Sequence, residues 1–191
     1  LTKPFTKDSL LKAVATYAAI GRIITGDTEG GRALLVEKHG TTAVDDDILR
    51  RVEREWYPHR SRVVRWDWEG EILSPLQRRG PRGLALALIV RGQVCGLMAA
   101  RVSPSKTWLS LTHLEGAPEQ HPLKGHILPI AARAMYIYRA VIAPEDQDDS
   151  IGIRILRPLK EAIPYYQQWG YTDFTMTKRL QAIVLERPRG E

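Results

Sequence analysis

The chain has one cysteine, Cys95, in 191 residues, so it can form neither an intrachain disulfide nor a thiolate metal cage. That excludes the small disulfide-stapled secreted scaffolds and suits a reducing compartment, which we read as cytoplasmic. The five histidines, His39, His59, His113, His121 and His126, have neither H-E-x-x-H nor Cys/His spacing, and no metal site is expected. Also missing are a Walker loop, a G-x-G-x-x-G fingerprint after a strand and a G-x-S-x-G elbow, which removes the commonest signatures of nucleotide and serine-hydrolase chemistry. Long apolar runs are scarce. The stretch over residues 10–24 is interrupted by Lys12 and Arg22 and is shorter than the roughly 20 residues that cross a bilayer, so no membrane span is expected. The chain begins at Leu1 rather than Met, which leaves upstream residues and a removed targeting segment open.

What is present is an ordinary globular composition, 43% hydrophobic and 26% charged, in a length that suits one domain or one domain with an appendage. The net charge is +6, and a basic surface favours polyanions: nucleic acid, anionic membrane or the phosphates of a nucleotide. The excess gathers at Arg50, Arg51, Arg54, Arg60, Arg62, Arg65, Arg78, Arg79 and Arg82, whereas residues 145–149 are acidic. Scattered arginines more often form a solvated face than a binding site, and both readings stand.

Periodicity organises the chain. Residues 8–25 read as an amphipathic helix with Leu10, Val14, Tyr17, Ala18, Gly21 and Ile24 on one side, ended by the glycine-rich turn over residues 26–31. Asp45, Asp46 and Asp47 place negative charge at a helix start, and Ile48, Val52 and Trp56 share one face until Pro58. From Arg62 the period shortens. Val63-Val64-Arg65-Trp66, residues 84–90, 94–102 and 107–114 read as strands, with Arg91-Gly92-Gln93 as a hairpin turn. Residues 127–142 form the best helix pattern, residues 151–156 a strand, residues 159–169 a helix and residues 174–185 a last extended stretch. No internal repeat or low-complexity tract is visible.

A hairpin feeding a strand, a loop and a long helix resembles, over residues 62–185, the fold of the GNAT acetyltransferases. The sequence Ala162-Ile163-Pro164-Tyr165-Tyr166-Gln167-Gln168-Trp169-Gly170-Tyr171 is similar to that family's closing helix, and Gly116-Ala117-Pro118-Glu119-Gln120-His121-Pro122-Leu123-Lys124-Gly125-His126-Ile127 is similar to its pyrophosphate loop. The resemblance implies an α/β (α+β) fold with a mixed, mostly antiparallel sheet, helices on both sides, and a helical extension over residues 1–60 packed on a core over residues 61–191.

It also implies acetyl-coenzyme A as co-substrate, held by backbone at Leu114, Gly116 and Ile127 and by Lys124, Gly125 and His126. A helix start offers free N–H groups and partial positive charge to a diphosphate. Three departures stand in that loop: Ile127 in place of a small residue, Pro122 before the basic position, and Pro129, which removes an amide donor. Tyr166 takes the place of the family's tyrosine beside the cofactor sulfur, where a protonated phenol serves as general acid. The plainer reading is an aromatic helix end of Tyr165, Tyr166, Trp169 and Tyr171 packed on the sheet, with Gly170 as its cap.

His113 and Glu115 lie two residues apart on one strand and point to the same side. Either can take a proton from an incoming ammonium, and Glu115 is the preferred base. Against that stand a solvated strand-end carboxylate and a structurally satisfied histidine. The expected activity is direct attack of an amine on the thioester, with the oxyanion stabilised near Leu114 and Gly116. The acceptor is a small molecule, a peptide or an aminoacyl-tRNA gripped by the arginines of residues 50–82; a non-catalytic nucleic-acid-binding module of the same fold is the alternative. Residues 1–60 read as a substrate lid or a homodimer surface.

Overall fold

The computed structural model describes residues 39–78, 82–118, 120–143, 148–176 and 181–189. The helix expected over residues 8–25 and the turn after it lie outside these. Seven strands form one sheet: β1 (His39–Ala43), β2 (Gly83–Val90), β3 (Gln93–Val102), β4 (Trp108–Gly116), β5 (Gly152–Leu156), β6 (Asp173–Met176) and β7 (Gln181–Glu186), in the order β1-β2-β3-β4-β5-β7-β6. Every pairing is antiparallel except β4 with β5. The mixed, mostly antiparallel sheet expected from the sequence is therefore present, with β1 as an addition that the sequence reading did not contain.

Alternation along the strands sorts two cores onto the two faces. Leu84, Leu86, Met98, Ala100, Leu109 and Leu111 turn to one side, where α3 (Ile127–Ile142) covers them with Leu128, Ala131, Ala134, Met135 and Tyr138. Ala87, Leu97 and Ala99 turn to the other, under α1 (Asp46–Glu55) and the segment after it. At about 25 cal/mol per Å² of apolar surface, burying such side chains is the main driving force for both layers. The β2–β3 hairpin turns through Arg91 (φ 50°) and Gly92 (φ 79°), with Val90 paired to Gln93. Two central residues with positive φ make the tight turn that matches strand twist.

The acidic run before α1 acts as the sequence suggests. Asp45 caps the helix by accepting from the Ile48 N–H at 2.9 Å, Asp46 and Asp47 complement the positive end, and Ile48, Leu49, Val52 and Trp56 are buried. The expected strand at Val63-Val64-Arg65-Trp66 is not one. Val63 is exposed, and the backbone is held by side chains instead of a ladder: the Arg62 guanidinium donates to the Trp66 carbonyl at 2.8 Å, and the Trp68 N–H donates to the Tyr57 hydroxyl at 3.2 Å. A π-helical turn (Trp68–Leu73) follows, capped by Asp67, and runs into the short α2 (Ser74–Gln77); Trp68, Ile72, Leu73 and Leu76 enter the core.

The long helix spans the residues expected of it. The final extended stretch divides into β6 and β7, and the helix before it is a 3₁₀ turn (Lys160–Ala162) followed by α4 (Ile163–Gln168). Among the described residues, no helix is long and apolar enough to cross a membrane.

Candidate active site

β4 and β5 pair only from Trp108↔Gly152 to Leu111↔Ile155. Beyond that point β4 continues to Gly116, still bonded to β3 on its other side, while β5 ends at Leu156 and the chain turns at Arg157 with φ 49°. The β5-facing edge of residues 112–116, Leu114 and Gly116 included, is thus unpaired backbone at the mouth of a parallel-strand fork. Unpaired strand backbone can bond an extended, amide-bearing ligand as a further strand would.

At this fork the structure brings together the two motifs recognised in the sequence. The Tyr165 hydroxyl donates to the Gly125 carbonyl at 2.6 Å, and the rings of His126 and Trp169 meet edge-on with centroids 6.0 Å apart. The closing aromatic helix is therefore fastened to the start of α3. Burial raises the Tyr165 phenol, opposed by the Leu128 backbone and by Trp169. Tyr165 was not among the expected site residues. Its signal was only that it shares the aromatic pair with Tyr166.

The loop before α3 is tightly turned. The Lys124 N–H bonds the His121 carbonyl at 3.0 Å and the His126 N–H the Leu123 carbonyl at 2.9 Å, with Gly125 at φ 83°. Neither the Gly125 nor the Ile127 amide bonds a described backbone carbonyl, so these two donors are available to an anion. Lys124 and His126 are exposed beside them. Ile127, the misfit in the expected loop, points inward against Leu88, Cys95 and Leu123. It fits because Gly96 lies beneath it: a Cβ there would come within 2.8 Å of the Ile127 side chain. A bulky residue is thus accommodated by the sheet and does not obstruct the loop's outer side. Cys95 is buried, its thiol pushed up by desolvation, as befits an inert packing residue.

Tyr166 is buried among the residues that α3 covers, and its hydroxyl has no hydrogen-bond partner among the described residues. Desolvation, and secondarily Tyr165, raises its phenol above 10.0, so it carries its proton at neutral pH. His113 stands on the opposite face of the sheet. It is half-buried, edge-on to Trp66 at 5.0 Å, with Nδ1 3.0 Å from the Thr112 hydroxyl. Burial, and then the positive charge of Arg101, lowers its pKa below 6.5, leaving a neutral imidazole able to accept a proton.

Glu115, the base preferred from the sequence with a solvated strand-end carboxylate as the alternative, is buried and paired. Its side chain is 3% exposed and accepts from Arg62 Nε at 2.6 Å, from Arg62 Nη2 at 3.2 Å and from Trp68 Nε1 at 2.7 Å. Both oxygens are engaged, which suits it to anchor the Arg62 loop on β4 better than to shuttle protons. The partners lie 47 and 53 residues away, beyond the reach of any local pattern. Arg62 also stacks over the Tyr57 ring at 4.2 Å. Among the described residues, no cluster of three or more His, Cys, Asp or Glu could hold a metal ion.

No protein-family model and no curated protein sequence matches the chain. Solved structures do. An acetyltransferase from Thermus thermophilus superposes with TM-score 0.53 at 16% identity, over 78% of this chain and 97% of its own. A GNAT family acetyltransferase from Brucella melitensis, in complex with acetyl-CoA, gives 0.51 at 18% identity over 81% and 92%. The PaiA N-acetyltransferase from Thermoplasma acidophilum, in complex with coenzyme A, gives 0.50 at 13% over 78% and 99%. With these identities the likeness is one of architecture, and the chain has the fold of the GNAT acetyltransferases.

Proposed function

We propose that the chain is an acetyl-coenzyme A-dependent N-acetyltransferase that moves the acetyl group to a primary amine by direct attack. The observation that carries this reading is the convergence at one strand fork of unpaired β4 backbone, two unbonded amides at the start of α3, and a protonated tyrosine. The amides of Gly125 and Ile127, with Lys124 and His126, would hold the diphosphate. Tyr165, bonded at the same helix start, stiffens the loop where Pro129 removes a donor. The backbone of Leu114 and Gly116 would bond the pantetheine amides and stabilise the developing oxyanion.

In this mechanism Tyr166 gives its phenolic proton to the departing thiolate. His113 takes the proton released by the attacking amine, directly or through water, and Glu115 acts as a positioning residue by holding Arg62 and Trp68 beside it. The thioester carbon–sulfur bond breaks as the amide bond forms, and no covalent enzyme intermediate is needed. The described part of the N-terminal segment, β1 and α1, belongs to the same unit in this reading, which the docking of α1 on the sheet supports. We place the enzyme in the cytoplasm, consistent with its single buried thiol.

The test is incubation with labelled acetyl-coenzyme A and a panel of amines, peptides and aminoacyl-tRNAs. Transfer to at least one acceptor is expected; label remaining on coenzyme A throughout would remove the assignment. An aminoacyl-tRNA acceptor has less support than a small one, because much of the basic tract is locally engaged. Arg50 lies 3.7 Å from Asp47, Arg54 2.8 Å from Glu55, Arg62 is buried on Glu115, and Arg51 donates to the Gly92 carbonyl.

A further inference from the structure

The loop that Glu115 anchors forms an open hollow of about 310 Å³, lined by Tyr57, Pro58, His59, Arg60, Arg62, Arg65, Trp66 and Asp67. Three guanidiniums face one carboxylate in that lining. Arg62 is neutralised by Glu115, and an oxygen of Asp67 is taken by the Gly70 N–H at 2.9 Å. Arg60 and Arg65 are exposed and have no ion-pair or hydrogen-bond partner among the described residues. With Arg62 offset by Glu115, Arg60 and Arg65 together outweigh the Asp67 carboxylate by one charge, so the lining favours an anion. The remaining lining is Pro58, His59 and the rings of Tyr57 and Trp66, and the rings supply apolar cover. Trp66 also meets His113 at 5.0 Å, so whatever fills the hollow lies one ring away from the proposed proton acceptor.

We propose that this hollow recognises an oxyanion, carboxylate or phosphate, carried by the acceptor amine, with Arg60 and Arg65 as its specificity-determining residues. The inference rests on the acetyltransferase reading for the word acceptor, but the anion site itself is a separate property of the loop. A hollow of this size admits the anionic end of a small molecule. Guanidinium forks match the planar or tetrahedral oxygens of such a group, and the aromatic walls cover the carbon chain that carries its amine. Neutral amines of the same length would leave Arg60 and Arg65 unpaired and would be poor substrates.

Binding and transfer are tested separately. Inorganic phosphate and acetate are titrated at constant ionic strength, following tryptophan fluorescence, in the full chain and in Arg60→Gln/Arg65→Gln, whose exposed side chains can be shortened without touching the core. Saturable quenching weakened about tenfold or more in the double variant is expected. Transfer is then compared for O-phosphoethanolamine against ethanolamine and for β-alanine against β-alaninamide, which tells phosphate from carboxylate. The anionic member of at least one pair should be favoured at least tenfold in kcat/KM by the parent. That preference should collapse in the double variant while its affinity for coenzyme A stays unchanged. Equal use of both members of each pair, or phosphate and acetate binding unaltered by the substitutions, overturns the oxyanion site. Salt-sensitive binding of tRNA without saturable binding of either small anion also overturns it, in favour of a nucleic-acid surface. Loss of coenzyme A binding in the parent would overturn the acetyltransferase reading and leave the anion titration to be judged alone.

Discussion

The two faces of β4 are built by different means. On the α3 face, helix starts, helix ends and strand alternation are each formed by residues close in sequence, and the long-range Tyr165–Gly125 bond only fastens elements that are already built. On the other, His113 and Glu115 are held by Trp66, Trp68 and Arg62, which arrive on a loop with no regular structure until the π-helical turn. A surface made by local rules tolerates degenerate motifs, as Ile127 over Gly96 shows. A surface made by one buried ion pair does not tolerate loss of either partner.

That contrast can be broken most forcibly at one residue on each face, the proposed acid and the carboxylate that anchors the Arg62 loop. Tyr166→Phe removes one hydroxyl without a described partner, and turnover at saturating acetyl-coenzyme A should fall by about 10²- to 10⁴-fold while the melting temperature is nearly unchanged. Activity within about threefold of the parent would leave Tyr166 as packing only. Glu115→Ala should do the reverse, lowering stability by roughly 3–5 kcal/mol in urea unfolding because Arg62 is left buried and unpaired. A loss below about 1 kcal/mol would mean that the loop is anchored by its aromatic residues alone.

The legibility of the sequence follows the same division. The helix of residues 127–142, the hairpin and the cap at Asp45 were readable because period, turn residues and capping act within a few positions. Val63-Val64-Arg65-Trp66 carries strand composition, yet no neighbouring strand accepts it, and only the Arg62–Glu115 pair explains its course. Glu115 stands on the strand expected of it, but its environment was invisible since both donors lie far away in sequence. β1 was missed because His39-Gly40-Thr41-Thr42-Ala43 has little apolar content to announce a strand.

Two smaller effects sharpen the comparison. Gly96→Ala should cost about 1–3 kcal/mol by crowding the Ile127 side chain, and combined with Ile127→Ala the two costs should sum to less than their separate values. If Gly96→Ala is neutral in thermal unfolding, the close fit beneath the loop is not a constraint. For His113 the sign of the pH effect is determined by its lowered pKa. The folded protein prefers the neutral ring and the unfolded chain binds the proton first, so stability should decline as pH falls from 6.5 through the folded value. The acid limb of kcat/KM should likewise lie below 6.5 in the parent. A limb above 6.5 that persists in His113→Gln would assign the base elsewhere.

Calorimetric titration of the full chain with coenzyme A reaches the central claim most directly, because it asks whether the fork and the start of α3 hold the cofactor, independent of any acceptor. Saturable binding at one site per chain is expected, weakened by Lys124→Ala and retained in Arg60→Gln/Arg65→Gln; absence of binding at millimolar coenzyme A and acetyl-coenzyme A would rule out the cofactor site.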